Sequence, residues 1–157
     1  MTTRTFEGAS ILVTGASGAL GSRIAALLAA QGANLTLTGR SLDRIEALPG
    51  SVRVDADLRD PDAAQRVVDA AATAFGGLDG IVHALGVVAF GPFEETSDAV
   101  MHELVETNLF APLRVTQAAL PALRASTREP FVAVISAVVA ENPVAGMTVY
   151  SATKSAL

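Results

Sequence analysis

The stretch "SILVTGASGALGSRIAALLAAQG", residues 10–32, decides the fold class. The opening "SILVT" (Ser10–Thr14) is mostly β-branched and apolar, which predicts a buried strand. The closing "RIAALLAAQG" repeats apolar side chains at helical spacing, and Gly32 is a typical helix stop. Between them lies "TGASGALG" (Thr14–Gly21), with glycines at positions 15, 18 and 21. The segment therefore predicts a strand, a glycine-rich turn and a helix.

Glycines at such a turn allow a tight bend, close approach of a pyrophosphate to the backbone, and close packing of helix on sheet. The free amides and positive dipole end of the helix N-terminus then face the phosphates. A P-loop is the competing phosphate-binding motif, but it needs Gly-Lys-Ser/Thr, which the segment lacks. An ordinary glycine-rich turn is the other alternative. The strand–turn–helix context favours a dinucleotide site.

The rest of the chain alternates short β-branched runs with longer helical patterns. Strands alternating with helices indicate crossover connections and a parallel sheet with helices on both faces. We predict a single α/β domain over residues 1–157, a Rossmann-like doubly wound parallel sheet of about five strands. The further strands are predicted at Asn34–Thr38, Ser51–Asp55, Gly80–Ala84 and Phe131–Ser136, and the further helices at Ser41–Leu48 with Ser41 as N-cap, at about 61–75 with Asp60 as N-cap, and at 97–126 with a break near Asn108 and Pro112.

Composition excludes several classes of function. The net charge is -5, and no cluster of Lys and Arg is present, which disfavours nucleic acid as a partner. The absence of cysteine excludes disulfides, cysteine nucleophiles and thiolate zinc sites, and we predict no metal site. The polar start has no signal-peptide core, and no apolar run approaches the roughly 20 residues that span a bilayer. We expect a cytoplasmic protein with no membrane partner.

The end of the second predicted strand, "LTGR", bears on the choice of nucleotide. Domains that prefer NAD usually carry an acidic side chain here for the ribose hydroxyls, whereas an arginine accommodates a 2′-phosphate. Gly39 takes the place of that carboxylate and Arg40 follows it. A guanidinium holds phosphate through paired charged hydrogen bonds, so we predict NADP(H) in preference to NAD(H). The alternative is that Arg40 is a solvated surface residue.

The last nine residues, "VYSATKSAL", contain the sole tyrosine, Tyr150, and Lys154 one helical turn later. Residues at this spacing share one face of a helix. Free tyrosine has a pKa of about 10, and a nearby ammonium favours the phenolate and lowers that pKa. The pair is thus suited to general acid–base catalysis at a carbonyl or alcohol. Ser136 closes the fifth predicted strand, at the sheet edge where ligands bind.

Taken in order, these residues resemble the short-chain dehydrogenase/reductase family, and the resemblance covers essentially the whole chain. It implies hydride transfer between NADP(H) and a small carbonyl or alcohol substrate. Tyr150 would be the general acid/base, Lys154 would bind the nicotinamide ribose, Ser136 would orient the carbonyl and Asn108 would hold a relay water. Asp57 would contact the adenine amino group. The cofactor-binding residues implied are Thr14, Gly15, Ser17, Gly18, Leu20, Gly21, Arg40, Asp57, Leu58, Ala84 and Gly86, together with Tyr150 and Lys154.

Two details depart from the reductase pattern. Ala19 occupies the usual position of the middle glycine, a spacing closer to the epimerase-like branch, so a sugar-nucleotide epimerase is one alternative. "HALG" (His83–Gly86) replaces the usual Asn-Asn-Ala-Gly, and we predict a structural role for His83.

The family also continues beyond the Tyr150 helix with further strands and helices. We therefore consider a fragment or truncation of a longer reductase, a site completed by a second chain, and an idle nucleotide-binding or interaction protein. A homo-oligomer is expected if the missing C-terminal part is supplied. Residues 87–95 and 137–149 are predicted to line the substrate entrance.

Overall fold

The computed structural model describes residues 6–157, which contain a parallel sheet of five strands in the order β3-β2-β1-β4-β5. The strand formed by "SILVT" lies at the centre and is buried throughout. Its register pairs Thr14 with Thr38 on one side and with His83 on the other, so these strands end at the same sheet edge. The strands are β1 (Ser10–Thr14), β2 (Asn34–Gly39), β3 (Ser51–Asp55), β4 (Gly80–His83) and β5 (Phe131–Val134).

Helices cover both faces of this sheet. The side chain of Leu12 packs with the apolar faces of the second and fourth helices, whereas Ile11 and Val13 pack on the opposite face with the first helix. This alternation along β1 confirms the doubly wound α/β class. No helix within residues 6–157 is both long and apolar enough to cross a bilayer. The helices are α1 (Ala19–Ala30), α2 (Ala63–Phe75), α3 (Asp98–Val105), α4 (Ala111–Ala125) and α5 (Thr148–Ser155).

The helix predicted at Ser41–Leu48 is wrong. A single 3₁₀ turn, Leu42–Arg44, replaces it, and Ser41 makes no side-chain cap. Ile45 leaves the turn in an extended conformation and is buried in the α1 face of the core. The guanidinium of Arg53 donates to the carbonyls of Leu42 and Ile45 at 3.2 and 3.0 Å. In a longer helix these carbonyls would accept from backbone amides of the next turn. The helix ends at Arg44 because Ile45 is buried and Arg53 occupies the two carbonyls.

Several boundaries also differ from the prediction. The helix α1 begins at Ala19, inside the glycine turn, and its Leu27 is 65% exposed. The helix α2 begins at Ala63 with Asp62 at the N-cap position, so Asp60, the predicted N-cap, lies two residues too early. The Asp60 carboxylate accepts from the Asp62 amide at 3.0 Å, in the turn before the helix. The strands β4 and β5 end one and two residues earlier than expected.

The break predicted near Asn108 and Pro112 is confirmed as a π-helical turn, Glu106–Phe110, between α3 and α4. Pro112 lies in the first turn of α4, which continues directly from the π turn, and it offers no amide to the carbonyls of that turn. The wider π turn interrupts the regular ladder and buries the Asn108 side chain completely. The irregularity therefore directs one amide side chain towards the carboxyl end of the sheet.

Candidate functional site

A cleft of about 270 Å³ opens at the carboxyl ends of β1, β2 and β4. This is the edge of an open parallel sheet at which ligands bind. Residues from five separate segments of the chain line it. The predicted cofactor residues brought together there are Gly15, Ser17, Gly18, Arg40, Asp57, Leu58, Ala84 and Gly86.

The glycine turn is shaped for a phosphate chain. Gly15 has a φ of +71°, and a Cβ there would lie 2.6 Å from the backbone of Leu85. A Cβ on Gly21 would collide with the carbonyl of Gly15. The helix α1 has no side-chain cap at Gly18, so its first amides are free to bind an anion. The turn thus fits the pyrophosphate of a dinucleotide.

Five predicted cofactor residues do not line this cleft: Thr14, Leu20, Gly21, Tyr150 and Lys154. The Thr14 side chain is fully buried, and its hydroxyl lies 3.3 Å from Nδ1 of His83. The other ring nitrogen of His83 lies 3.0 Å from the hydroxyl of Thr116. Burial lowers the pKa of His83 to about 4, so the imidazole is neutral at physiological pH. His83 therefore joins β1, β4 and α4 beneath the cleft, in keeping with the structural role predicted for it.

Asp57 does not present a free carboxylate to the cleft. It forms a forked ion pair with Arg59, whose Nε lies 3.0 and 3.1 Å from the two carboxylate oxygens. The hydrogen bonds of Arg59 hold the pKa of the Asp57 carboxyl below its usual value. Arg59 also lines the cleft, and the sequence prediction missed it. The sequence could have predicted this ion pair, since a guanidinium two residues after a carboxylate can reach back to it.

Asn108 is the central hydrogen-bonding group between the loop after β4 and α5. Its Oδ1 accepts from the amide of Val87 at 2.8 Å, and its Nδ2 donates to the carbonyl of Val87 at 2.9 Å. The second Nδ2 hydrogen goes to the hydroxyl of Thr153 at 3.1 Å. Thr153 is thus a supporting residue that the sequence prediction missed. These bonds hold the Gly86–Val87 backbone and α5 in fixed relation to the π-helical turn.

Lys154 is 5% exposed, and its ammonium donates to the carbonyl of Ile135 at 3.0 Å. Burial lowers its pKa. A Cβ on Gly86 would lie 3.4 Å from both Asn108 Oδ1 and Lys154 Nζ. These two functional groups therefore converge on Gly86, one of the four glycines that line the cleft. One of the three ammonium donors of Lys154 is engaged with Ile135.

Ser136 is not part of either cleft lining. Its hydroxyl donates to the backbone carbonyl of Lys154 at 2.9 Å. This carbonyl lies in the last turn of α5 as the structure describes it. The bond joins the segment after β5 to the helix of Tyr150 and Lys154, and it leaves the hydroxyl oxygen able to accept.

A second cleft of about 240 Å³ lies against Tyr150. Its walls are formed by residues 89–97, by Val100 and Leu104 of α3, and by the segment 146–150. Glu95 is the one ionisable side chain besides Tyr150 among the described residues that line it. Residues 146–149 and 89–95 fall in the segments predicted to line a substrate entrance. The apolar side chains in the wall are Phe90, Phe93, Val100, Leu104, Met147 and Val149.

Comparison with known proteins gives a consistent result over nearly the whole chain. The family profile described as short chain dehydrogenase matches residues 9–157. The 11-beta-hydroxysteroid dehydrogenase 1A of Arabidopsis thaliana is 35% identical, with 96% of this chain and 45% of the relative aligned. The chain thus spans about half the length of the curated relatives it matches.

Solved structures agree with this result. A short-chain dehydrogenase/reductase from Brucella melitensis superposes with a TM-score of 0.91 at 31% identity, covering 99% of this chain and 67% of that one. A short chain dehydrogenase from Burkholderia cenocepacia, solved in complex with NADP, superposes with a TM-score of 0.89 at 31% identity. That alignment covers 98% of this chain and 65% of the other.

Proposed function

The chain belongs to the short-chain dehydrogenase family, and from that membership we propose that its site transfers hydride between NADP(H) and a small carbonyl or alcohol substrate. The observation that carries the proposal is the convergence of Asn108 and Lys154 on Gly86, with Tyr150 one turn before Lys154 on α5. A buried amide, a buried ammonium and a phenol in this relation suit proton transfer beside a nucleotide cleft. The cytoplasmic location and the homo-oligomeric state predicted from the sequence stay predictions.

The cofactor would be held along the larger cleft. The free amides at the start of α1, beside Gly15 and Gly18, would bind the pyrophosphate, and Arg40 would bind the 2′-phosphate. Gly39 supports this choice of nucleotide because it offers no carboxylate against the phosphate. The Burkholderia relative solved with NADP supports it as well. When bound, NADPH would supply the hydride for reduction of a carbonyl, and NADP+ would accept the hydride from an alcohol.

The chain's own residues would transfer the proton to or from the substrate oxygen. The Tyr150 hydroxyl would donate a proton to the oxygen of the reacting carbonyl, and in the reverse direction the Tyr150 phenolate would accept a proton from an alcohol. The Lys154 ammonium would favour the phenolate left behind and would use its remaining donors on the nicotinamide ribose. Asn108 would fix the Val87 backbone and α5 so that Tyr150 faces the cofactor. Ser136 would orient the substrate carbonyl after its hydroxyl, which has one hydrogen, turns from the Lys154 carbonyl to the substrate oxygen.

A charge placed at Gly39 tests the choice of cofactor. A Cβ there lies 2.9 Å from the hydroxyl of Ser17, a mobile group that can rotate aside, so the Gly39→Asp variant is expected to fold. Its carboxylate would repel the 2′-phosphate. We expect the Kd for NADPH to rise at least about tenfold and the Kd for NADH to fall or stay unchanged, as measured by isothermal titration calorimetry.

Gly77→Asp is the matched control, because it adds the same charge where a Cβ would meet no atom within 4 Å. Equal NADPH affinities in the two variants would contradict the NADP(H) assignment. Loss of NADPH and NADH binding by Gly39→Asp alone, with the melting temperature retained, would instead show that the position is essential for any dinucleotide.

A further inference from the structure

We propose that Arg44 is a second guanidinium that binds the 2′-phosphate, together with Arg40. The inference rests on the proposed NADP(H) site and adds a specificity-determining residue to it. Arg44 lines the same cleft as Arg40, although four residues separate them in sequence and no regular helix joins them. The 2′-phosphate carries close to two negative charges at neutral pH, so a single guanidinium does not neutralise it.

The backbone of Arg44 is held in place before any ligand binds. The 3₁₀ turn Leu42–Arg44 places the Arg44 amide 3.2 Å from the Ser41 carbonyl. On its far side the turn is anchored by Ile45, which is 2% exposed, and by the two hydrogen bonds from Arg53. A side chain on an anchored turn loses less entropy on binding than one on a free loop. The same interactions that end the predicted helix therefore hold Arg44 at the cleft wall.

The charges around the cleft distinguish Arg44 from the third guanidinium there. Arg59 is paired with Asp57 and lies 3.9 Å from a carboxylate oxygen of Glu103, so its charge is already compensated. Arg40 and Arg44 take part in no ion pair within the described part of the chain, residues 6–157. The Asp57 carboxylate acts on Arg40 through its charge alone. Two guanidinium groups that line one cleft and are held in no ion pair suit a dianionic phosphate, which can accept from both.

The test compares Arg44→Ala and Arg40→Ala with the control Arg124→Ala, which removes an exposed arginine from the last turn of α4. The probes are NADPH, NADH, adenosine 2′,5′-bisphosphate and adenosine 5′-monophosphate, titrated by calorimetry against the intact chain. Arg44→Ala is expected to weaken NADPH and the bisphosphate about tenfold and to leave NADH and the monophosphate within about twofold. Arg124→Ala is expected to change none of the four affinities.

The outcomes separate this inference from the function on which it rests. If Arg40→Ala weakens NADPH and Arg44→Ala does not, the role of Arg44 is overturned and the NADP(H) assignment stands. If Arg44→Ala lowers the affinity for NADH and the monophosphate as much as for NADPH and the bisphosphate, Arg44 does not bind the 2′-phosphate. If the unchanged chain binds NADH more tightly than NADPH, both proposals fail.

Discussion

Replacing Tyr150 with phenylalanine is expected to lower the turnover number about 10³-fold while the Kd for NADPH stays within about twofold of its original value. The phenylalanine ring fills the same space on α5, so the change removes only the hydroxyl that exchanges a proton with the substrate oxygen. The loss should appear in single-turnover reduction of a ketone, followed by the absorbance of NADPH. The melting temperature should change little, because no residue in the described chain forms a hydrogen bond with the Tyr150 hydroxyl.

Ser155→Ala is the matched control for this variant, since it removes an exposed hydroxyl from the same helix, one that donates to the Ala140 carbonyl. We expect it to keep at least half of the activity. Retained turnover in Tyr150→Phe would contradict the assigned role. A chain that binds NADPH equally well in all three forms and reduces nothing in any of them would support the idle nucleotide-binding protein instead.

Replacing Asn108 with alanine is expected to lower the free energy of unfolding by about 3 kcal/mol. The substitution removes both partners of the Val87 peptide groups and the donor to Thr153, all near the fully buried Asn108 side chain. Each buried polar group left without a partner costs about 1–3 kcal/mol, and the cavity adds to this. Urea denaturation followed by circular dichroism measures the change.

Asn34→Ala provides the matched control, because within residues 6–157 the Asn34 side chain makes one exposed hydrogen bond, of 3.4 Å to the Gly8 carbonyl. Its cost should stay below about 1 kcal/mol. If both substitutions cost the same, Asn108 does not hold the site together in the way its contacts indicate. The Asn108 variant should also bind NADPH more weakly, since Gly86 and Val87 lie in the wall of the cofactor cleft.

Local sequence patterns were sufficient for the elements around the glycine turn. Strand β1 was predicted at its observed bounds because its apolar run and the glycines that follow are contiguous signals. The break at Asn108 was predicted for the same reason, since Pro112 acts on its own neighbours. The Ser41–Leu48 helix failed because burial of Ile45 and two bonds from Arg53, a residue of the next strand, outweighed local helical propensity.

The candidate site shows the same division. Its residue types and their order along the chain could be predicted from the sequence. The structure brings eight of the predicted cofactor residues into one cleft. The hydrogen-bond partners of the site residues could not be predicted, because these contacts join residues that are far apart in the sequence. Asn108 bonds to groups 21 and 45 residues away, and Thr14 is turned to His83, 69 residues away. Arg44 was missed for a related reason, since it was assigned to a helix that the core does not permit.

The central claim is that this chain supplies the proton and the NADP(H) site for hydride transfer to a carbonyl carbon. The most direct test is to incubate the protein with NADPH deuterated at its transferable position and a panel of simple ketones, and to analyse the products by mass spectrometry. We predict an alcohol that carries one deuterium on the former carbonyl carbon, formed by the unchanged protein and about 10³-fold more slowly by Tyr150→Phe. Bound NADPH with no labelled alcohol from any ketone, or label found equally fast in the Tyr150→Phe variant, would contradict the account.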